Sequence, residues 1–158
     1  MTKQEFLSKI GAYLTDMPSK DTFFYWYPLQ SIREDVPAVA FDLWKLYDHD
    51  KGIAQLECVL CRASIQTASV FQNQNYSPAV KEVNLPALLY EADADGYNFP
   101  WYVESYYYDD SKNWMIYTSH EFTITFTGKE LAEIATQIID HKYALDIGHP
   151  PQTPNIQD

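Results

Sequence analysis

The chain has 158 residues, 46% of them hydrophobic and 21% charged, with a formal net charge of −11. That length fits one domain, and the composition is that of a folded globular protein, not a disordered chain. Between residues 82 and 121, eight acids (Glu82, Glu91, Asp93, Asp95, Glu104, Asp109, Asp110, Glu121) face one base, Lys112. Such a field repels phosphate backbones and anionic headgroups and steers a basic partner.

Thr2-Lys3-Gln4-Glu5 has capping-box spacing, and Phe6, Ile10, Tyr13 and Leu14 follow at helical intervals, which predicts a helix to about residue 15. The aromatic run Phe23–Tyr27 predicts an early strand closed by Pro28. Asp35-Val36-Pro37 reads as a helix start, with Val36, Ala40, Leu43, Trp44 and Tyr47 as its buried stripe. Residues 51–72 fit helix through Ile53, Leu56, Leu60 and Ala63, or strand through Leu56, Cys58 and Leu60; length favours helix. Asn84-Leu85-Pro86 opens a short helix through Tyr90, ended by turn residues Asp93–Gly96.

Past Pro100 the period drops from helical to two. It predicts a meander of Trp101–Tyr108, Trp114–Ser119 and a third strand with Phe122, Ile124 and Phe126 inward and Thr123, Thr125 and Thr127 toward solvent. Thr127-Gly128-Lys129-Glu130 repeats the capping-box spacing before an amphipathic helix carrying Leu131, Ile134, Ala135 and Ile138, with His141 and Lys142 at its negative end. The expected fold is α+β: an antiparallel sheet, made of the C-terminal three-strand meander and the early aromatic strand, covered on one face by helices. Residues 1–145 form the expected domain and 146–158 a flexible tail. The opening residues lack the basic and apolar regions of a secretory signal, and no apolar run approaches the ~20 residues of a membrane span. Cytoplasm is the expected location, with no membrane partner.

Several constellations resemble chemical sites without completing one. Cys58-Val59-Leu60-Cys61 has CxxC spacing, but apolar neighbours and the lack of a second ligand pair make these buried free thiols. Glu91–Gly96 begins like a calcium loop, yet Tyr102 stands where a bidentate glutamate is required, so a turn is expected. Ser119-His120-Glu121 holds three triad-like side chains that, being consecutive, cannot form one relay. No metal or cofactor is expected, and no catalytic residue is assigned.

The alternation places Tyr102, Glu104, Tyr106 and Tyr108 on one strand face. Exposed, that row would be an interface, because tyrosine is enriched at interfaces. The expected partner-binding residues are Tyr102, Glu104, Tyr106, Tyr108, Asp109, Asp110, His120 and Glu121. The stretch Trp114–Gly128, with the size and acidity of the chain, resembles small bacterial α+β proteins, among them immunity proteins that neutralise a toxin by binding it. The resemblance covers about 30 residues near the C-terminus and implies a non-enzymatic binding module for a basic protein. The alternatives are a small hydrolase or transferase with a cleft near His120, or a small-molecule or carbohydrate sensor using Trp101 and Trp114.

Overall fold

A computed structural model of the chain describes residues 8, 32–48, 50–72, 81–90, 105–119 and 121–147. Of the predicted first helix only Ser8 is described; it is helical and exposed. The early aromatic strand, the Glu91–Gly96 turn, Trp101–Glu104 and His120 lie outside the described residues.

Seven strands among the described residues form one sheet: β1 (Ala38–Asp42), β2 (Thr67–Gln72), β3 (Lys81–Asn84), β4 (Ser105–Tyr108), β5 (Met115–Thr118), β6 (Thr123–Thr127) and β7 (Ala144–Leu145). Their order is β3-β2-β4-β5-β6-β1-β7, and every neighbouring pair is antiparallel. The fold is therefore α+β with an antiparallel sheet. The meander β4-β5-β6 is its centre, as its period of two requires. β1 and β2 flank it on opposite sides and run the same way, so their link must cross the sheet. Helices α1 (Leu43–Tyr47) and α2 (Asp50–Arg62) make that crossing. After β6, helix α4 (Lys129–Ile138) and a 3₁₀ turn at His141–Tyr143 carry the chain past β1 to β7; α3 (Leu85–Leu88) follows β3.

The sequence between residues 35 and 47 behaves differently from its predicted helix. Val39 and Phe41 alternate with Ala38 and Ala40 in β1, which pairs with β6 through Phe41↔Ile124 and Ala40↔Thr125. The four-residue spacing of Val36 and Ala40 is compatible with both periods, and sheet pairing wins. Helix begins only at Leu43, where the Asp42 carboxylate accepts the Lys45 N–H at 3.0 Å. Residues 51–72 resolve into helix and then strand. The boundary is a Schellman stop: Ser64 takes φ 56°, its N–H reaches the Cys61 carbonyl at 3.0 Å, and the Ile65 N–H reaches Leu60 at 2.9 Å. Asn84 caps α3 by accepting the Ala87 N–H at 2.9 Å, which satisfies one of the orphan donors of that turn.

Buried helix side chains, including Leu46, Leu56, Leu60 and Leu131, cluster with Phe41, Tyr107, Ile116 and Phe126 of the sheet. Alternate residues point the other way: Tyr106, Tyr108, Met115 and Tyr117 form a second cluster joined by Ile32, Val36 and Phe71. Thr123, Thr125 and Thr127 share that second face and are fully buried, so the expected solvent-facing threonine row is interior. The Thr125 and Thr127 hydroxyls lack a hydrogen-bond partner there. Thr127 is turned into this face by its pairing with Met115 and Ala38, and so does not cap α4. Gly128 takes the cap position instead, at φ 107°, with no side-chain bond to the helix.

Gly128 is required twice over. Its φ is one that side chains rarely adopt, and an added Cβ would meet the Asn113 carbonyl oxygen at 2.2 Å. Gly128→Ala is expected to lower stability by roughly 2–3 kcal/mol, measured by urea unfolding. Burial raises the Tyr107 phenol to about 12, and burial followed by the Asp110 charge raises Tyr108 to about 12. The neutral phenols thus contribute stability that is complete below the ordinary value near 10 and is lost as pH rises through about 12. Thermal melts at pH 8, 10 and 11 should show a falling midpoint. Both phenols should stay silent in an absorbance titration until the chain unfolds.

Candidate functional site

The β4–β5 turn holds the two aspartates expected at the interface, and they differ in kind. Both Asp109 carboxylate oxygens are engaged within the turn. Oδ1 accepts the Ser111 N–H at 2.9 Å and the Ser111 hydroxyl, and Oδ2 accepts the Trp114 indole N–H at 2.9 Å. Asp109 is a turn-forming residue that also anchors a buried tryptophan. Asp110 is exposed at the tip, beside Lys112 at φ 58°. Trp114, at 7% exposure, offers no ring to a sugar or a base.

The tyrosine row is not a surface at the positions described. Tyr106 and Tyr108 are each 1% exposed, and Tyr106 packs against Tyr117 with ring centroids 4.9 Å apart. The alternation was legible, but both faces of β4 are interior, so alternation could not supply an exposed row. Tyr102, Glu104 and His120 lie outside the described residues, and Glu121 is half-buried in the β5–β6 turn.

That second turn does organise a surface. Phe122 sits at φ 57°, a left-handed conformation that a bulky residue adopts at a cost of about 1–3 kcal/mol. Three contacts hold it. Its N–H bonds to the Ser119 carbonyl at 3.0 Å, its carbonyl accepts the Leu43 N–H at 2.8 Å, and its ring meets Trp44 edge-on at 5.0 Å. The turn is thereby fastened to the first turn of α1. Ser119 supports it from below through a hydroxyl contact with Thr123 at 2.8 Å.

Trp44, expected in a buried stripe, is 54% exposed. In a helix of five residues, Leu43 and Leu46 take the inward direction and Trp44 falls beside it. One turn on, the Tyr47 hydroxyl donates to the Leu89 carbonyl at 3.1 Å, joining α1 to the end of α3. Next to Leu89, Tyr90 is 59% exposed, and its hydroxyl donates to the Glu57 carboxylate of α2. Phe122, Trp44, Tyr47 and Tyr90 are thereby linked through α1 and the end of α3, with Glu121 next to Phe122 in sequence, Asp48 next to Tyr47, and Glu57 bonded to Tyr90. Trp44 and Tyr90 are the two large hydrophobic side chains exposed among the described residues. Only the Asp42 cap hinted at this in the sequence, because it fixes where α1 starts and hence which way Trp44 points.

The recess between α2 and the sheet is lined by Leu56, Leu60, Leu89, Ile116, Ile124 and Phe126 and has no room for a water. With no polar side chain on its walls, it has neither an acid nor a base for catalysis. Among the described residues, no group of three or more His, Cys, Asp or Glu gathers to hold a metal, and no helix is long and apolar enough to cross a membrane. Compared with protein-family models, curated proteins and solved structures, the chain matches none.

Asp109 and Asp110 separate by experiment. Asp109→Ala removes the acceptor of the Trp114 indole and is expected to cost about 1.5–3 kcal/mol in urea unfolding, the range for bonds to a charged group. Asp110→Ala should stay within about 0.5 kcal/mol of wild type, as exposed substitutions do.

Proposed function

We propose that this chain is a non-enzymatic binding module that engages a basic protein through the aromatic rim around Trp44 and Tyr90. One observation carries it: Trp44 and Tyr90, the two large hydrophobic side chains exposed among the described residues, are linked through Tyr47 and Leu89, and Tyr90 is bonded to the Glu57 carboxylate. Tryptophan and tyrosine are enriched among the few residues that carry most of the energy at protein interfaces, inside a ring of contacts that excludes water. Here they are pre-placed. Tyr90 is tethered by Glu57 and Trp44 is braced by Phe122, so less side-chain entropy is lost on binding. The net charge of −11 defines the partner as basic, through faster encounter rather than through tight local pairs.

The exposed aromatics around Trp44 and Tyr90 take the place of the tyrosine row, and the acidic chain still favours a basic partner. Its most specific form is an immunity protein that neutralises a basic toxin by covering it, which accords with the resemblance of Trp114–Gly128. The rim is a surface for covering a partner, since none of its members is arranged as a nucleophile with a base.

The test is affinity capture at low and physiological salt with four chains: wild type, Trp44→Ala, the pair Asp48→Lys with Glu57→Lys, and Asp110→Lys. A basic protein should be retained by wild type and Asp110→Lys. Trp44→Ala should speed its dissociation about 30-fold, equivalent to a hot spot of about 2 kcal/mol. The double charge reversal should slow association and flatten its salt dependence. A partner lost with Asp110→Lys but kept by Trp44→Ala would move the interface to the β4–β5 turn and overturn the rim.

A further inference from the structure

Both cysteines of α2 are exposed and free, contrary to the buried thiols that their apolar neighbours suggest. Helical geometry explains the difference. Leu56, Val59 and Leu60 turn to the core, while Ala54, Glu57, Cys58, Cys61 and Arg62 turn outward. Cys58 and Cys61 lie one turn apart at the middle of the outward face, and the small Ala54 lies beside them, one turn earlier than Cys58. Cysteine is among the most buried residue types, so two exposed thiols on one helix face are not the ordinary outcome of packing.

The helix also decides what such a pair can do. Residues three apart have Cβ atoms about 5–6 Å from each other. A disulfide requires roughly 3.5–4.5 Å, so closing one would unwind the last turn of α2. That turn is pinned by the Schellman stop, in which the Cys61 carbonyl itself accepts the Ser64 N–H. One metal ion between the sulfurs has a different demand. With bonds of about 2.3 Å, two sulfurs stand roughly 3.8 Å apart at a tetrahedral centre and 4.6 Å at a linear one. Rotation about the Cα–Cβ bonds reaches that range with the helix intact.

We infer that Cys58 and Cys61 form a bis-thiolate site for a soft, low-coordinate monovalent ion of the copper(I) class. Paired thiolates select soft ions, and a linear ion needs no third protein ligand. Binding exchanges two S–H bonds for two S–metal bonds and releases two protons, with no change of oxidation state. Because the face is open, the ion is held at the surface, where it can pass to another thiol pair. The site is separate from the aromatic rim, although Glu57 of the rim lies one turn before Cys61 on the same helix.

The test uses the full reduced chain without oxygen, titrated against copper(I) held by the coloured chelator bicinchoninate. Wild type should withdraw one copper ion per chain and release two protons into a weakly buffered dye. Cys58→Ser and Cys61→Ser should each lose affinity on the order of 100-fold, the gain that a second linked ligand brings. Their circular dichroism should match wild type, because both positions are exposed, and Trp44→Ala should bind copper normally. Failure of wild type to compete with bicinchoninate would overturn the site. So would full uptake by either serine variant, or a stoichiometry of one ion per two chains. Quantitative intrachain disulfide formation by mild oxidant with the helix retained would overturn the geometric basis.

Discussion

The meander β4-β5-β6 is buried along its whole length and on both faces, and most other features follow from that constraint. Successive residues of a strand point to opposite sides, so Tyr107 enters the cluster under the helices while Tyr106 and Tyr108 enter the one beyond. Two-sided burial sets a cost as well. Ser105, Thr125 and Thr127 keep hydroxyls without partners in the interior, where an unmet polar group costs about 1–3 kcal/mol. Aromatic packing such as Tyr106 on Tyr117 offsets that cost across the same strands. The central strand β5 has a neighbour on each side, leaving it no open edge.

A buried centre leaves exposed side chains to the ends of the strands and to the crossover helices. β1 and β2 run parallel on opposite sides of the meander, and α1 and α2 must span the distance between them. The join between crossover and meander is where Phe122 accepts a strained backbone and where Trp44 comes to lie. A left-handed phenylalanine persists because Leu43 and Trp44 together over-determine it, the usual condition for strain to survive folding. Exposed aromatics at such a join are rigid anchors, held by the same contacts that fasten the hairpin to the helix.

Helix α2 serves three directions at once. Its inward face supplies Leu56, Val59 and Leu60 to the core, its flank supplies Glu57 to the rim, and its outward face carries the two thiols. Gly52 fixes its start against α1, since a Cβ there would stand 1.8 Å from the Leu46 carbonyl oxygen. Pinned at both ends, the helix presents Glu57 and the cysteines in one defined geometry.

Much of the secondary structure was legible in the residues. The period of two located the meander, the period of 3.6 located α4 and the helical part of 51–72, and Asn84 announced α3. The break between Tyr108 and Trp114 was legible from the two predicted strands, but the Asp109 carboxylate proved to serve the turn between them and the Trp114 indole. The switch from β1 to α1 was not legible, because each has five residues and so few positions fit either period. Nor was the site. Alternation tells which tyrosines face together, while wet or dry depends on what packs against that face from elsewhere in the chain. For the same reason apolar neighbours could not place Cys58 and Cys61. The amino-acid sequence by itself determined local periods, turns and the excess of negative charge, all properties of near neighbours along the chain. Which faces are closed, where Trp44 and Tyr90 emerge and which way the thiols point were decided by contacts between distant segments, and burial is a property of those contacts alone.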